Sequence, residues 1–120
     1  MNTGFHPIDG ALWLRDQGAD ERLVCLVAHH TGAVFEAERR GLSDHVKDFS
    51  REESAVADAL WYADLTSGPD GRPSTFEARV AEILTRYEPG SVVHESVSEA
   101  RPALSAAVHR TLERLADHPR

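Results

Sequence analysis

The chain has 120 residues, of which 41% are hydrophobic and 28% charged, so it can bury a core as one domain and does not have the composition of a disordered protein. Its 20 acidic and 13 basic side chains give a formal charge of −7. A net negative surface repels phosphate backbones, so general nucleic-acid binding is not expected, although a local basic patch is not excluded.

The first half of the chain predicts helices that are separated by glycines. Pro7 suits the first turn of a helix over 7–17, because its missing N–H would have no helical partner there. Asp20 is a candidate N-cap for a second helix that reaches about residue 30. A third, charged helix is expected over 34–40, and residues 42–49 stay ambiguous.

The second half predicts a long apolar helix, a loop and further helices. Ser50 is the N-cap candidate for the helix that ends near Leu65, and the Gly- and Pro-rich segment 67–73 is the clearest loop. Ser74 and Glu77 have capping-box spacing, which predicts a helix over 75–87. Two more helices are expected over 91–99 and, opened by Pro102, over 102–117. The fold class is therefore all-α, a compact bundle of about six or seven helices forming a single domain over residues 1–120.

Three histidines and one aspartate fall at helix ends. His6 precedes the first helix, and His29 and His30 close the second, whose positions Leu23, Leu26, Val27 and His30 share one face. Asp64 continues the stripe of Val56 and Leu60, where a buried carboxylate would need a cation or a hydrogen-bond partner. Imidazole and carboxylate ligands suit zinc, manganese or iron. The alternative is that the histidines are caps or surface residues and that the aspartate pairs with an arginine or water.

The remaining ionisable and aromatic residues have simpler interpretations. Cys25, the only cysteine, is expected to be a small core residue in a reducing compartment. Four histidines are expected at the surface: His45, His94, His109 and His118. Five aromatic residues are expected in the core or in a groove: Trp13, Phe35, Trp61, Phe76 and Tyr87. Arg39 and Arg40 form a solvated face that could also meet phosphate. The sequence has no signal peptide and no apolar run of ~18 residues, so we expect a cytoplasmic chain with no membrane partner.

Three motifs in this order, FHPIDGA at 5–11, AHHTGA at 28–33 and DALWYADLTSGPDG at 58–71, resemble the later part of HD-domain proteins. These are all-helical, metal-dependent phosphohydrolases, and the resemblance covers about residues 3–90. It implies that His6, His29, His30 and Asp64 are metal ligands and that the cofactor is a divalent ion such as Mn, Fe, Zn or Mg. The metal would activate a water that attacks a phosphate ester or a nucleotide phosphoanhydride. A phosphorylated small molecule or nucleotide is then the expected partner.

The chain departs from this family pattern in one respect. HD proteins carry an adjacent His-Asp pair before the position of His6, and no His-Asp dipeptide occurs in this sequence. We therefore expect an N-terminally shortened HD-like domain with impaired catalysis, and leave open whether Met1 is the true start. A mononuclear site remains compatible with three or four ligands, as does a chain with no metal bound.

Two alternatives to catalysis by this chain alone remain. The first is a non-catalytic HD-like helical protein that acts by self-association or partner binding, because helices that lose their neighbours expose apolar faces. The second is a site completed by another chain or by a second copy in a homo-oligomer. The stripe of Leu104, Val108, Leu112 and Leu115 predicts that the last helix packs against its own core or a partner.

Overall fold

A computed structural model of the chain describes residues 3–68 and 70–117, and these form seven α-helices without a strand longer than an isolated bridge. The helices are α1 (His6–Asp16), α2 (Glu21–Ala28), α3 (Ala33–Arg39), α4 (Ser43–Lys47), α5 (Ala55–Leu65), α6 (Phe76–Arg86) and α7 (Val92–Asp117). A single 3₁₀ turn, His30–Gly32, joins α2 to α3. The expected all-α class is thus confirmed.

The longest helix, α7, is the element around which the others are arranged. It packs against α3, α5, α6 and the His30–Gly32 turn, while α1 and α2 form a hairpin beside them. The largest core cluster lies along α7, where Leu104 meets Leu65 of α5 and Val80 of α6. Two smaller clusters bury Ile8 and Val24 of the hairpin. The burial of these apolar faces, more than helix propensity, stabilises helices as short as these.

Side-chain caps fix where three helices begin. The Asp20 carboxylate accepts the Arg22 N–H at 2.9 Å, which confirms the predicted cap of α2. The cap of α5 is Ser54, whose hydroxyl accepts the Ala57 N–H at 3.1 Å, so the prediction of Ser50 was wrong. Thr75 rather than Ser74 caps α6. In each case the N-cap is the residue whose side-chain oxygen accepts a hydrogen bond from an amide in the first turn of the helix.

The predicted break before Pro102 is absent, because α7 runs without interruption from Val92 to Asp117. Proline removes one helical N–H and crowds the carbonyl four residues earlier, which is that of Ser98. Core-cluster residues of α7 lie on both sides of this point, Ala100 before it and Leu104 and Val108 after it, and their packing stabilises the continuous helix. Tertiary contact therefore overrides the local preference of the sequence.

Several apolar positions lie on a different side of their helix from the one predicted. In α2 the buried residues are Val24, Cys25 and Ala28, while Leu23 is 47% exposed. Burial of Cys25 confirms its interpretation as a core residue. Trp13, expected in a core or groove, is 62% exposed. Only the first half of the predicted apolar stripe of α7 is buried: Leu104 and Val108 are buried, whereas Leu112 and Leu115 are exposed.

A buried carboxylate, Asp58, joins α5 to the C-terminal part of α7. Its two oxygens accept from Arg110 Nε at 2.8 Å and Arg110 Nη2 at 2.9 Å, and Oδ2 also accepts from Arg114 Nη1 at 2.7 Å. The hydrogen bonds from Arg110, and then those from Arg114, hold the pKa of Asp58 below its ordinary value of 3.8. Asp58 in α5 is thus the buried and paired aspartate, a role that the sequence had suggested for Asp64.

We expect Asp58→Asn to destabilise the protein at pH 7 by about 1–3 kcal/mol, because a charge-assisted clamp is lost while its partners remain partly buried. The folded-state pKa is depressed, so this stabilisation is present above the unfolded-state pKa and is lost as the pH falls through the folded value. The difference between wild type and variant should therefore shrink below about pH 4. Urea unfolding across pH measures it, with exposed Asp16→Asn as the control. A difference that stays constant down to pH 2 would contradict the ionic account.

Candidate functional site

The His30–Gly32 turn is held directly against α7. Gly32 is buried and has φ +69°, a left-handed conformation that glycine adopts without steric penalty. A Cβ added to Gly32 would lie 3.4 Å from Ala100 and 3.4 Å from Leu104 on α7. These distances are at the short end of van der Waals contact, so the turn packs directly against α7, and the positive φ is the stronger reason for glycine at this position.

Thr31 is strained and holds the end of α5. It has φ +52° and ψ +44°, a left-handed conformation that is a true outlier for a β-branched residue. Its hydroxyl donates to Asp64 Oδ2 at 2.7 Å, which ties the turn to the last helical residues of α5. Asp64 itself is exposed, as are Val56 and Leu60 of the same stripe. Strain of this kind persists only where the surroundings impose it, and it clusters at functional sites.

The imidazole of His30 is fixed in one tautomer. Its Nδ1 lies 2.7 Å from the Val27 carbonyl oxygen. Since a carbonyl only accepts, Nδ1 is the nitrogen that donates the proton in this hydrogen bond. This arrangement, in which one ring nitrogen donates to the backbone, is the one that commonly orients a ligating histidine. His30 lines a pocket together with His6, which is the exposed first residue of α1.

His29 lies in different surroundings. Its Nε2 is 2.8 Å from the Phe49 carbonyl oxygen, so here Nε2 is the protonated nitrogen. The ring lines a narrow crevice with Cys25 and Trp61, between α2 and α5. His29 is absent from the residues that line the pocket of His6 and His30. Adjacent in sequence, the two histidines thus serve different parts of the structure.

The predicted metal ligands do not assemble into a complete donor set. His6 and His30 line one pocket. Asp64 accepts a hydrogen bond from Thr31 and is absent from the lining of that pocket, and His29 contacts the Phe49 carbonyl. Within 3–68 and 70–117, no group of three His, Cys, Asp or Glu side chains is placed so that it could hold a metal ion. The donor types suit a divalent metal, yet the residues as placed do not fit one, and the metal site stays a prediction.

The pocket that His6 and His30 share has a volume of about 380 Å³ and lies among the start of α1, the turn, α3, α6 and α7. Its apolar side comes from Ile83 and from members of the core cluster along α7: Leu65, Val80, Val97, Ala100 and Leu104. Its polar side also includes arginines and a tyrosine: Arg40, Arg79, Arg86 and Tyr87. An apolar floor with a few convergent polar groups is the usual composition of a small-molecule site.

Sequence reasoning found part of this pocket and missed part. Of the Arg39–Arg40 pair, Arg40 lines the pocket, whereas Arg39 faces Glu99 on α7 at 3.4 Å. The arginines of α6 received no role, although Arg79 and Arg86 are seven residues apart and therefore share one helix face. Only their spacing could have indicated a common role.

Two of the other histidines follow the prediction. His45 and His109 are exposed as expected, and His118 lies outside the described residues. His94, expected at the surface, is half-buried, with Nδ1 3.2 Å from a Glu95 carboxylate oxygen. His45, His94 and His109 are absent from the lining of the His6–His30 pocket.

Comparisons of this chain with protein-family models, with curated proteins and with solved structures each find no match. The resemblance to HD-domain proteins therefore stays an expectation that derives from the three motifs. Among the helices that the structure describes, none is long and apolar enough to cross a membrane.

We expect Thr31→Val to lower the free energy of unfolding by about 1 kcal/mol, because the hydrogen bond to Asp64 is lost while the left-handed strain remains. Thr31→Gly loses the same bond but relieves about 1–2 kcal/mol of strain. Chemical denaturation should therefore rank the glycine variant above the valine variant. The reverse order would show that Thr31 does not store strain in the folded state.

Proposed function

We propose that this chain is an HD-like helical domain that binds a phosphorylated small molecule or nucleotide in the pocket shared by His6 and His30, and hydrolyses it poorly. Its phosphohydrolase character derives from the motif resemblance, and the impairment from the incomplete donor set. We place this activity in the cytoplasm, where a chain with one buried thiol, Cys25, has no need of an oxidising environment.

The observation that supports this proposal is that two of the four predicted residues, His6 and His30, line one pocket. His6 comes from the start of α1 and His30 from the turn after α2. Asp64, at the end of α5, accepts a hydrogen bond from Thr31 of the same turn but is absent from the pocket lining. Polar side chains that reach one pocket from separate elements are a feature of binding sites.

Impaired hydrolysis follows from the placement of His29 and from the missing His-Asp pair. The Nε2–H of His29 is engaged by the Phe49 carbonyl, which removes this ring from the pocket. The remaining donors do not form a group of three among the described residues. We therefore derive no hydrolytic step, and assign to His6 and His30 a contact with the bound ligand in the pocket.

Metal content and turnover of the purified full chain test this proposal. After incubation with Mn²⁺ and gel filtration, we expect substoichiometric metal by elemental analysis and p-nitrophenyl phosphate hydrolysis close to the buffer rate. Calorimetry should nonetheless detect phenyl phosphate binding that His30→Ala weakens and that the exposed-surface control His109→Ala leaves unchanged. Stoichiometric metal that Asp64→Ala removes, together with Mn²⁺-dependent turnover, would instead establish an active phosphohydrolase. Absence of phenyl phosphate binding would reject the proposal.

One observation favours a second candidate function, self-association through α5. Val56 is 49% exposed and Leu60 37% exposed, and with the exposed Ala59 and Ala63 they form an apolar helix face. A second copy of the chain could cover this face.

Light scattering at several concentrations tests self-association. We expect a dimer that the double variant Val56→Ser/Leu60→Ser converts to a monomer, because apolar burial drives such association. Leu115→Ser, at the exposed end of α7, is the control for a polar substitution elsewhere. A monomeric wild type at every concentration would exclude this candidate.

A further inference from the structure

Two arginines of α6 are held by one carboxylate. Arg79 Nη1 lies 3.1 Å from Glu82 Oε2, and Arg86 pairs with the other oxygen, Oε1. The spacings of three and four residues place all three side chains on one face of the helix. Two guanidinium groups that share one carboxylate leave this cluster, which we call the α6 arginine pair, with a net positive charge.

The geometry of the α6 arginine pair suits it to bind an anion. Each guanidinium has five N–H donors, of which one carboxylate engages only a few. Glu82 restricts both long side chains before any ligand arrives, and less conformational entropy is then lost on binding. Arg79 and Arg86 line the His6–His30 pocket, whereas Glu82 is absent from its lining.

The charge of the pocket contrasts with the charge of the chain. Among the described residues that line it, three are arginines and one, Glu36, is acidic. The Glu36 carboxylate accepts from Arg40 Nε at 2.6 Å. The protein as a whole carries a formal charge of −7. A cleft with local positive charge and apolar walls concentrates field lines, so an anionic ligand is favoured there in spite of the net charge.

The remaining lining indicates the rest of the ligand. Val80 and Ile83 project from α6 next to the arginines, and Leu104 continues the apolar side on α7. The Arg86 guanidinium carbon lies 5.9 Å from the centroid of the Tyr87 ring. The volume of about 380 Å³ is at the lower end of the 300–1,000 Å³ usual for small-molecule sites. A single phosphate group with a compact apolar or aromatic body matches this size and composition.

From this arrangement we infer that Arg79 and Arg86 bind the phosphate group of a phosphomonoester whose apolar body contacts the core-cluster side of the pocket. This inference rests on the proposed function, in which the pocket takes a phosphorylated molecule, and adds which residues recognise the phosphate and what the other end of the ligand is. Bidentate guanidinium contacts to phosphate give both charge and geometry, so lysine is not an equivalent replacement.

Isothermal titration calorimetry of the full chain with three probes tests the inference. We expect phenyl phosphate to bind more tightly than inorganic phosphate, and phenol to show no binding. Arg79→Gln and Arg86→Gln should each weaken phenyl phosphate binding by about tenfold or more, the effect of losing one charge-assisted hydrogen bond. Arg86→Lys should restore only part of the phenyl phosphate affinity that Arg86→Gln loses.

Arg101→Gln is the matched control, since Arg101 is an exposed residue of α7 that is not in the pocket lining. Circular dichroism establishes that each variant is folded. If phenyl phosphate binds and both α6 variants bind as wild type does, the arginine assignment fails while the proposed function stands. If phenyl phosphate does not bind to wild type, both fail. Equal affinity for phenyl phosphate and inorganic phosphate would overturn the apolar-body part.

Discussion

The contact between Gly32 and α7 is the constraint on which the rest of the site depends. Gly32 packs against Ala100 and Leu104, and its positive φ, which glycine adopts without steric penalty, redirects the chain into α3. In this turn Thr31 is within reach of Asp64 and His30 lines the pocket. A residue with a Cβ at position 32 would have to hold the same left-handed φ, at a cost of about 1–2 kcal/mol.

His29 and His30 are adjacent in sequence, but hydrogen bonds to different backbone carbonyls hold their rings in different surroundings. His30 donates from Nδ1 to Val27 within its own helix, whereas His29 donates from Nε2 to Phe49 in the segment after α4. The first contact orients a ring that lines the pocket, and the second joins α2 to the chain before α5. One residue contributes to the pocket, and the other to the packing that positions it.

Local features of the sequence predicted most of the fold but less of the site. Caps such as Asp20 and stops such as Gly18 act within a few residues, so the helices could be placed from the sequence. The continuity of α7 through Pro102 and the exposure of Leu23 depend on tertiary packing, which hydrophobic periodicity does not predict. The pairing of Asp58 with Arg110 joins residues 52 positions apart, and no local motif predicts it.

Pro102 divides α7 into two parts that have different contacts. Most of the α7 residues that line the pocket precede it, Val93 to Ala100, while the arginines that clamp Asp58 follow it. The same helix therefore forms one wall of the pocket with its first half and is bound to α5 by ion pairs with its second half.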